Sequence, residues 1–132
     1  MQPPKLHQTL LRFCITGLTT AVIYLTICYL LVKISKTSAE IAGFIGFVAI
    51  LPINYLLHKL WSFESKRFHR ETAPKFLVVI VLGIIINSTA IHIFVTFGLH
   101  FLIAQVFAMS VVIIWNFGMF KWWVFPQNSS AP

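Results

Sequence analysis

The chain has 132 residues, 58% of them apolar and only 10% charged, with ten Lys and Arg against three acids for a formal charge of +7. A soluble domain carries about 25% charged residues, so a soluble core of this length is excluded and the bilayer is the expected solvent for most side chains. The basic excess would suit nucleic acid in a soluble protein. Here the bases flank apolar segments, which points to lipid headgroups and the positive-inside bias, with no nucleic-acid partner.

Four apolar segments follow in chain order. Phe13–Val32 runs 20 residues without a charge, Ile41–Leu57 runs 17, Phe76–Phe97 runs 22 and Phe101–Phe120 runs 20. About 20 helical residues cross a hydrocarbon core of about 30 Å, so each is read as a transmembrane helix. The first is too long for a signal-peptide core and lacks a nearby A-x-A site, so it is read as a retained span. The second is expected to continue as helix past Trp61. Cys14 and Cys28 lie on the first helix, about 21 Å apart along its axis, too far to pair. Pro52 is expected to kink the second helix and free the carbonyl one turn earlier. The third helix carries Asn87 and His92; His92 is read as a packing residue near an interface. The fold class is all-α: a single transmembrane domain over residues 1–132, with a disordered tail over 126–132.

The connections predict an eight-residue loop (Lys33–Glu40), an 18-residue loop (His58–Lys75) and a tight turn at Gly98-Leu99-His100. If the N-terminus is cytoplasmic, that side holds Lys5, Arg12, Lys59, Lys66, Arg67, Arg70, Lys75 and Lys121, and the far side only Lys33 and Lys36. Both termini and the basic loop are therefore expected on the cytoplasmic side.

The second and fourth helices end alike. Asn54-x4-Lys59-x-Trp61-x-Phe63 and Asn116-x4-Lys121-x-Trp123-x-Phe125 are the same pattern at an offset of 62 residues, and Ala42-x3-Gly46 falls on Ala104-x3-Ala108 at that offset. Arg12-Phe13 and Lys75-Phe76 open the first and third helices at nearly the same offset. Two helical hairpins follow, repeat 1 over about 10–63 and repeat 2 over about 73–125. Each holds an even number of spans, so they form a parallel repeat.

Lys at such a position faces phosphates and the negative end of the helix dipole, and Trp favours the same interface. Arg12, Lys59 and Lys121 are therefore candidates for binding a lipid phosphate, flanked by the interface aromatics Trp61 and Trp123. Plain anchoring of the helix ends is the competing reading. Asn54, His58 and Trp61 stand at i, i+4 and i+7 and are expected on one stripe of the helix, and Asn116, Phe120 and Trp123 repeat that stripe. Asn54, His58 and Asn116 are candidates for contact with a headgroup or sugar on a translocation path; interhelical hydrogen bonding is the alternative for the two amides. Glu40, Glu64 and Glu71 lie in loops or at a helix end. With no mid-membrane carboxylate, no catalytic triad, no metal-ligand cluster and no phosphate-cradling glycine loop, the sequence offers no enzyme active site and calls for no metal or cofactor.

Arg12-Phe13 with Gly17, Ala42-Gly43-Phe44, Asn54…Lys59-Leu-Trp61-Ser-Phe63 and Lys121-Trp-Trp123-Val-Phe125, in this order over about Leu10 to Phe125, make the chain resemble the GtrA-like family of four-helix membrane proteins. His58 departs from the family pattern, where Asn is common. The resemblance implies a bacterial-type cytoplasmic membrane protein of cell-envelope polysaccharide or lipid glycosylation. Its expected activity is to move a polyprenyl phosphate such as undecaprenyl phosphate, or its sugar conjugate, across the membrane. A non-transporting partner of a glycosyltransferase is the alternative, and a small multidrug-type exporter is a second. Four helices hardly enclose a large headgroup, so a homo-oligomer is expected.

Overall fold

The computed structural model describes residues 4–127, apart from the side chains of residues 39 and 40. These residues form helices and no strands: α1 (Leu6–Ile34), α2 (Ala39–Leu57), α3 (His69–Thr96) and α4 (Phe101–Met119). A short π-helical turn extends α2 (His58–Ser62) and another extends α4 (Phe120–Val124). All four helices, α2 and α4 taken with their π-turns, are long and apolar enough to cross a membrane. The protein is a multi-pass membrane protein. The expected disordered tail falls, for residues 128–132, outside the described residues; Pro126 is described, and its carbonyl accepts from Arg67 Nε at 3.4 Å.

The helices reach beyond their apolar runs. The 29 residues of α1 make about 44 Å of helix, against a hydrocarbon core of about 30 Å. Hydropathy marks only the stretch in hydrocarbon, while backbone hydrogen bonding carries the helix on through the headgroup zone. For that reason α3 starts at His69, well before its apolar run at Phe76, and only residues 63–68 of the expected 18-residue loop lie outside helices. Local signals fix the other ends. The Ser38 hydroxyl accepts from Ile41 N–H at 3.4 Å and His100 Nδ1 from Leu102 N–H at 3.3 Å, each satisfying a first-turn donor. Between α3 and α4, Gly98 adopts φ +88°, a conformation that suits a residue without Cβ.

The chain divides into two compact units, Met1–Lys66 and Arg67–Pro132. Unit 1 is the α1–α2 hairpin. Thr9, Phe13, Thr16 and Thr20 form the buried stripe of α1. They share the unit's interior with Ala42, Ile50, His58, Lys59, Ser62 and Phe63. Unit 2 is the α3–α4 hairpin, with Thr72, Phe76, Val79 and Gly83 as the buried stripe of α3. Ala104, Ala108, Phe120, Val124 and Phe125 complete its interior. The two stripes correspond residue for residue at an offset of 63, and the α2 and α4 positions at 62. The likeness between hairpins thus extends to α1 and α3, where sequence identity is slight. Outward-facing side chains such as Leu18 (70% exposed), Phe44 (71%) and Ile114 (74%) present the apolar surface that lipid requires.

Candidate functional site

The matched helix endings owe their form to the π-turns. A π-turn closes i→i+5 hydrogen bonds, and Phe63 N–H donates to His58 O at 2.9 Å while Phe125 N–H donates to Phe120 O at 2.7 Å. Residues five apart then come to one side: the His58 and Phe63 rings lie 6.0 Å apart, and Phe120 and Phe125 repeat the pairing in unit 2. This alters one sequence expectation. Trp61 does not continue the stripe of Asn54 and His58; it turns outward, 40% exposed, and Phe63 takes the inner position at 1%.

In unit 1 the π-turn is bound tightly to its surroundings. The Phe13 ring lies 5.1 Å from the His58 imidazole and 6.3 Å from Phe63. His58 Nδ1 is hydrogen-bonded to Ser62 Oγ at 3.2 Å, and Ser62 Oγ to Thr16 Oγ1 at 2.9 Å. This polar chain ties the turn to α1, so His58, 3% exposed, faces the unit's interior. Lys59 is equally buried, and its Nζ donates to the Ser65 carbonyl at 2.9 Å, while Ser65 N–H donates back to Lys59 O at 2.7 Å. Arg12 donates to the Trp61 carbonyl at 3.2 Å, forms an ion pair with Glu64, and holds its guanidinium 5.9 Å from the centre of the Trp61 ring. Arg12, Lys59 and Trp61 therefore come together at one helix end, with both bases bonded to groups of the chain itself.

Unit 2 repeats the frame with different chemistry. Phe76 stacks on Phe120 at 5.1 Å, and Phe120 meets Phe125 edge-on at 5.9 Å. Where unit 1 has His58, Ser62 and Thr16, unit 2 has Phe120, Val124 and Val79, three buried apolar side chains in place of a hydrogen-bonded chain. Lys121 is half-buried, with Nζ 5.4 Å from the Trp122 ring centre, and Lys75 Nζ lies 5.6 Å from that of Trp123. Trp123 thus partners Lys75, not Lys121. One residue type keeps its character in both units: the Oδ1 atoms of Asn54 and Asn116 are buried without a hydrogen-bond partner. In unit 2 this oxygen faces the bare backbone of Gly83, 3.2 Å from where a Cβ would stand.

Residues 12–125 match the family model described as GtrA/DPMS, transmembrane domain. The chain belongs to this family. The GtrA/DPMS match begins at Arg12, the base that clamps the first π-turn, and ends at Phe125, the residue that closes the second. Among curated proteins no sequence matches the chain significantly.

Within this GtrA/DPMS domain, several site features escape a reading by position alone. Glu64, Trp122 and the Thr16–Ser62 pair have no matching residue type in the other repeat. Lys75 is marked by standing at the position equivalent to Arg12 in the repeat. Glu64 carries no such mark, since Pro126 stands at its equivalent position.

Proposed function

We propose that this protein moves a polyprenyl phosphate, or a sugar carried on one, across the cytoplasmic membrane, with both termini on the cytoplasmic side. The observation that carries this reading is the pair of buried, unpartnered Asn oxygens, one in each hairpin, each one turn deeper than a basic, Trp-lined helix end. Left without a donor in an apolar interior, an amide oxygen costs about 1–3 kcal/mol. Hydroxyl groups of a passing sugar supply the missing donors, and a basic helix end supplies the countercharge for the phosphate. The exposed apolar faces suit a prenyl tail. A homo-oligomer would complete an enclosure that four helices alone hardly provide. The exporter reading loses support because the chain's three acids all lie at residues 40, 64 and 71, outside the middle of any span.

A second reading, a membrane anchor for a glycosyltransferase, draws on exposed residues such as Lys66 at the end of the first unit and Phe68, 77% exposed, with Arg70 at the start of the second. Arg67 is a poor probe of that surface, because it braces Pro126 and pairs with Glu71 at 3.8 Å. Lys66→Gln with Arg70→Gln is the better test. Cell-envelope glycan output measured in cells relying on this variant is expected to stay at the wild-type level if translocation is the task. A clear fall in output from a normally inserted protein would favour the anchor.

A further inference from the structure

The two hairpins are alike in frame and unlike in charge balance. In unit 1 the bases are engaged from within: Arg12 pairs with Glu64, and Lys59 donates to the Ser65 carbonyl. Glu64 holds φ +47°, a left-handed conformation that a non-glycine residue adopts against steric cost, in the short link just after the π-turn. Its carboxylate occupies the place beside an arginine and a tryptophan that an anionic headgroup would otherwise take.

Among the described residues unit 2 has no such carboxylate. Pro126 stands where unit 1 has Glu64, and the nearby acid Glu71 is engaged with Arg67. Among the described residues Lys75 and Lys121 form neither hydrogen bond nor ion pair, and each ammonium rests against one of two adjacent indoles. Those rings, 68% exposed for Trp122 and 39% for Trp123, are groups that settle at headgroup depth. Lys75 starts the apolar run of α3 and Lys121 closes that of α4, so the antiparallel hairpin sets both at one end.

The geometry points to the second hairpin, through Lys75 and Lys121 on the Trp122–Trp123 ledge, as the seat of a lipid-borne phosphate, while the corresponding seat of the first hairpin is filled by the chain's own Glu64. The inference rests on the translocase reading and sharpens it: the repeat is asymmetric, and one half presents an open anion site. The same phosphate chemistry is offered by a prenyl phosphate and by a bulk anionic phospholipid, and the probes tell them apart.

The test is native mass spectrometry of the full chain in neutral detergent, titrated with farnesyl phosphate, dioleoyl phosphatidylglycerol or inorganic phosphate. Wild-type protein is expected to bind a lipid probe, and Lys75→Gln and Lys121→Gln each to weaken that binding about tenfold or more, the loss of one charge-assisted bond. Glu64→Gln, which frees Arg12, is expected to add a second bound lipid. Preference for farnesyl phosphate identifies a carrier lipid as the source; equal binding of phosphatidylglycerol identifies the bulk headgroup. Wild-type affinity in the Lys75→Gln/Lys121→Gln double variant, or inorganic phosphate competing as well as the lipids, would overturn the inference and leave the translocase reading standing. A wild-type chain that binds no lipid phosphate would remove both.

Discussion

Replacing Asn54 and Asn116 together by Leu is expected to stop lipid translocation while the protein folds normally and melts at a higher temperature. Neither Oδ1 atom has a hydrogen-bond partner, so the substitution breaks no bond to that oxygen. It removes two buried, unsatisfied acceptors, each worth about 1–3 kcal/mol of destabilisation, and Leu keeps the branched outline of Asn in an apolar setting. Part of the gain is offset near Gly83, where the Asn116 oxygen already packs closely and extra bulk costs energy. A net gain of about 1 kcal/mol or more would raise the melting temperature of purified protein by a few degrees. Transport is expected to fall at least about tenfold, as loss of a polar contact made only in transit would require. A lowered melting temperature would instead show that the amides bind helix to helix. A stable double variant that transports normally would take both residues off the path.

The largest stability effect is expected at Gly46. A Cβ there would stand 2.8 Å from Cys28 Sγ and 3.3 Å from two carbons of the Tyr24 ring, so α1 and α2 are packed to the limit that glycine allows. Gly46→Val forces them apart and is expected to cost about 1–3 kcal/mol or more, seen as a lower melting temperature and earlier proteolysis. Gly46→Ala is expected to be milder and to be partly rescued by Cys28→Ala, which removes the closest atom. Gly17 is the control: it has nothing within 4 Å of its would-be Cβ, so Gly17→Ala is expected to be neutral or to add up to about 1 kcal/mol of helix stability. Equal damage from Gly17→Ala and Gly46→Ala would contradict this account of the packing.

The four spans, their pairing into hairpins and the matched ends of α2 and α4 could be read from the sequence, because hydropathy and a repeated five-residue spacing depend on local order alone. The helix lengths could not, since headgroup-zone turns such as residues 69–75 are helical without being apolar. The outward direction of Trp61 is not legible in the sequence, because a stripe drawn at 3.6 residues per turn fails once the helix widens into a π-turn. The exchange of Thr16, Ser62 and His58 for Val79, Val124 and Phe120 was hidden for another reason. Each substitution is unremarkable alone, and only the register between neighbouring helices shows that the three positions meet. Arg12 was legible as a base at a helix end, but its partner Glu64 depends on a left-handed backbone in the link after the π-turn, which no motif announces.

The most direct test is to reconstitute the full-length chain alone into sealed vesicles with a prenyl phosphate, or its sugar conjugate, and to follow arrival of that lipid on the opposite leaflet. The translocase account predicts transfer well above that of protein-free vesicles, and its loss in the Asn54→Leu/Asn116→Leu variant. Transfer no faster than in protein-free vesicles, from correctly folded and inserted protein, would contradict it.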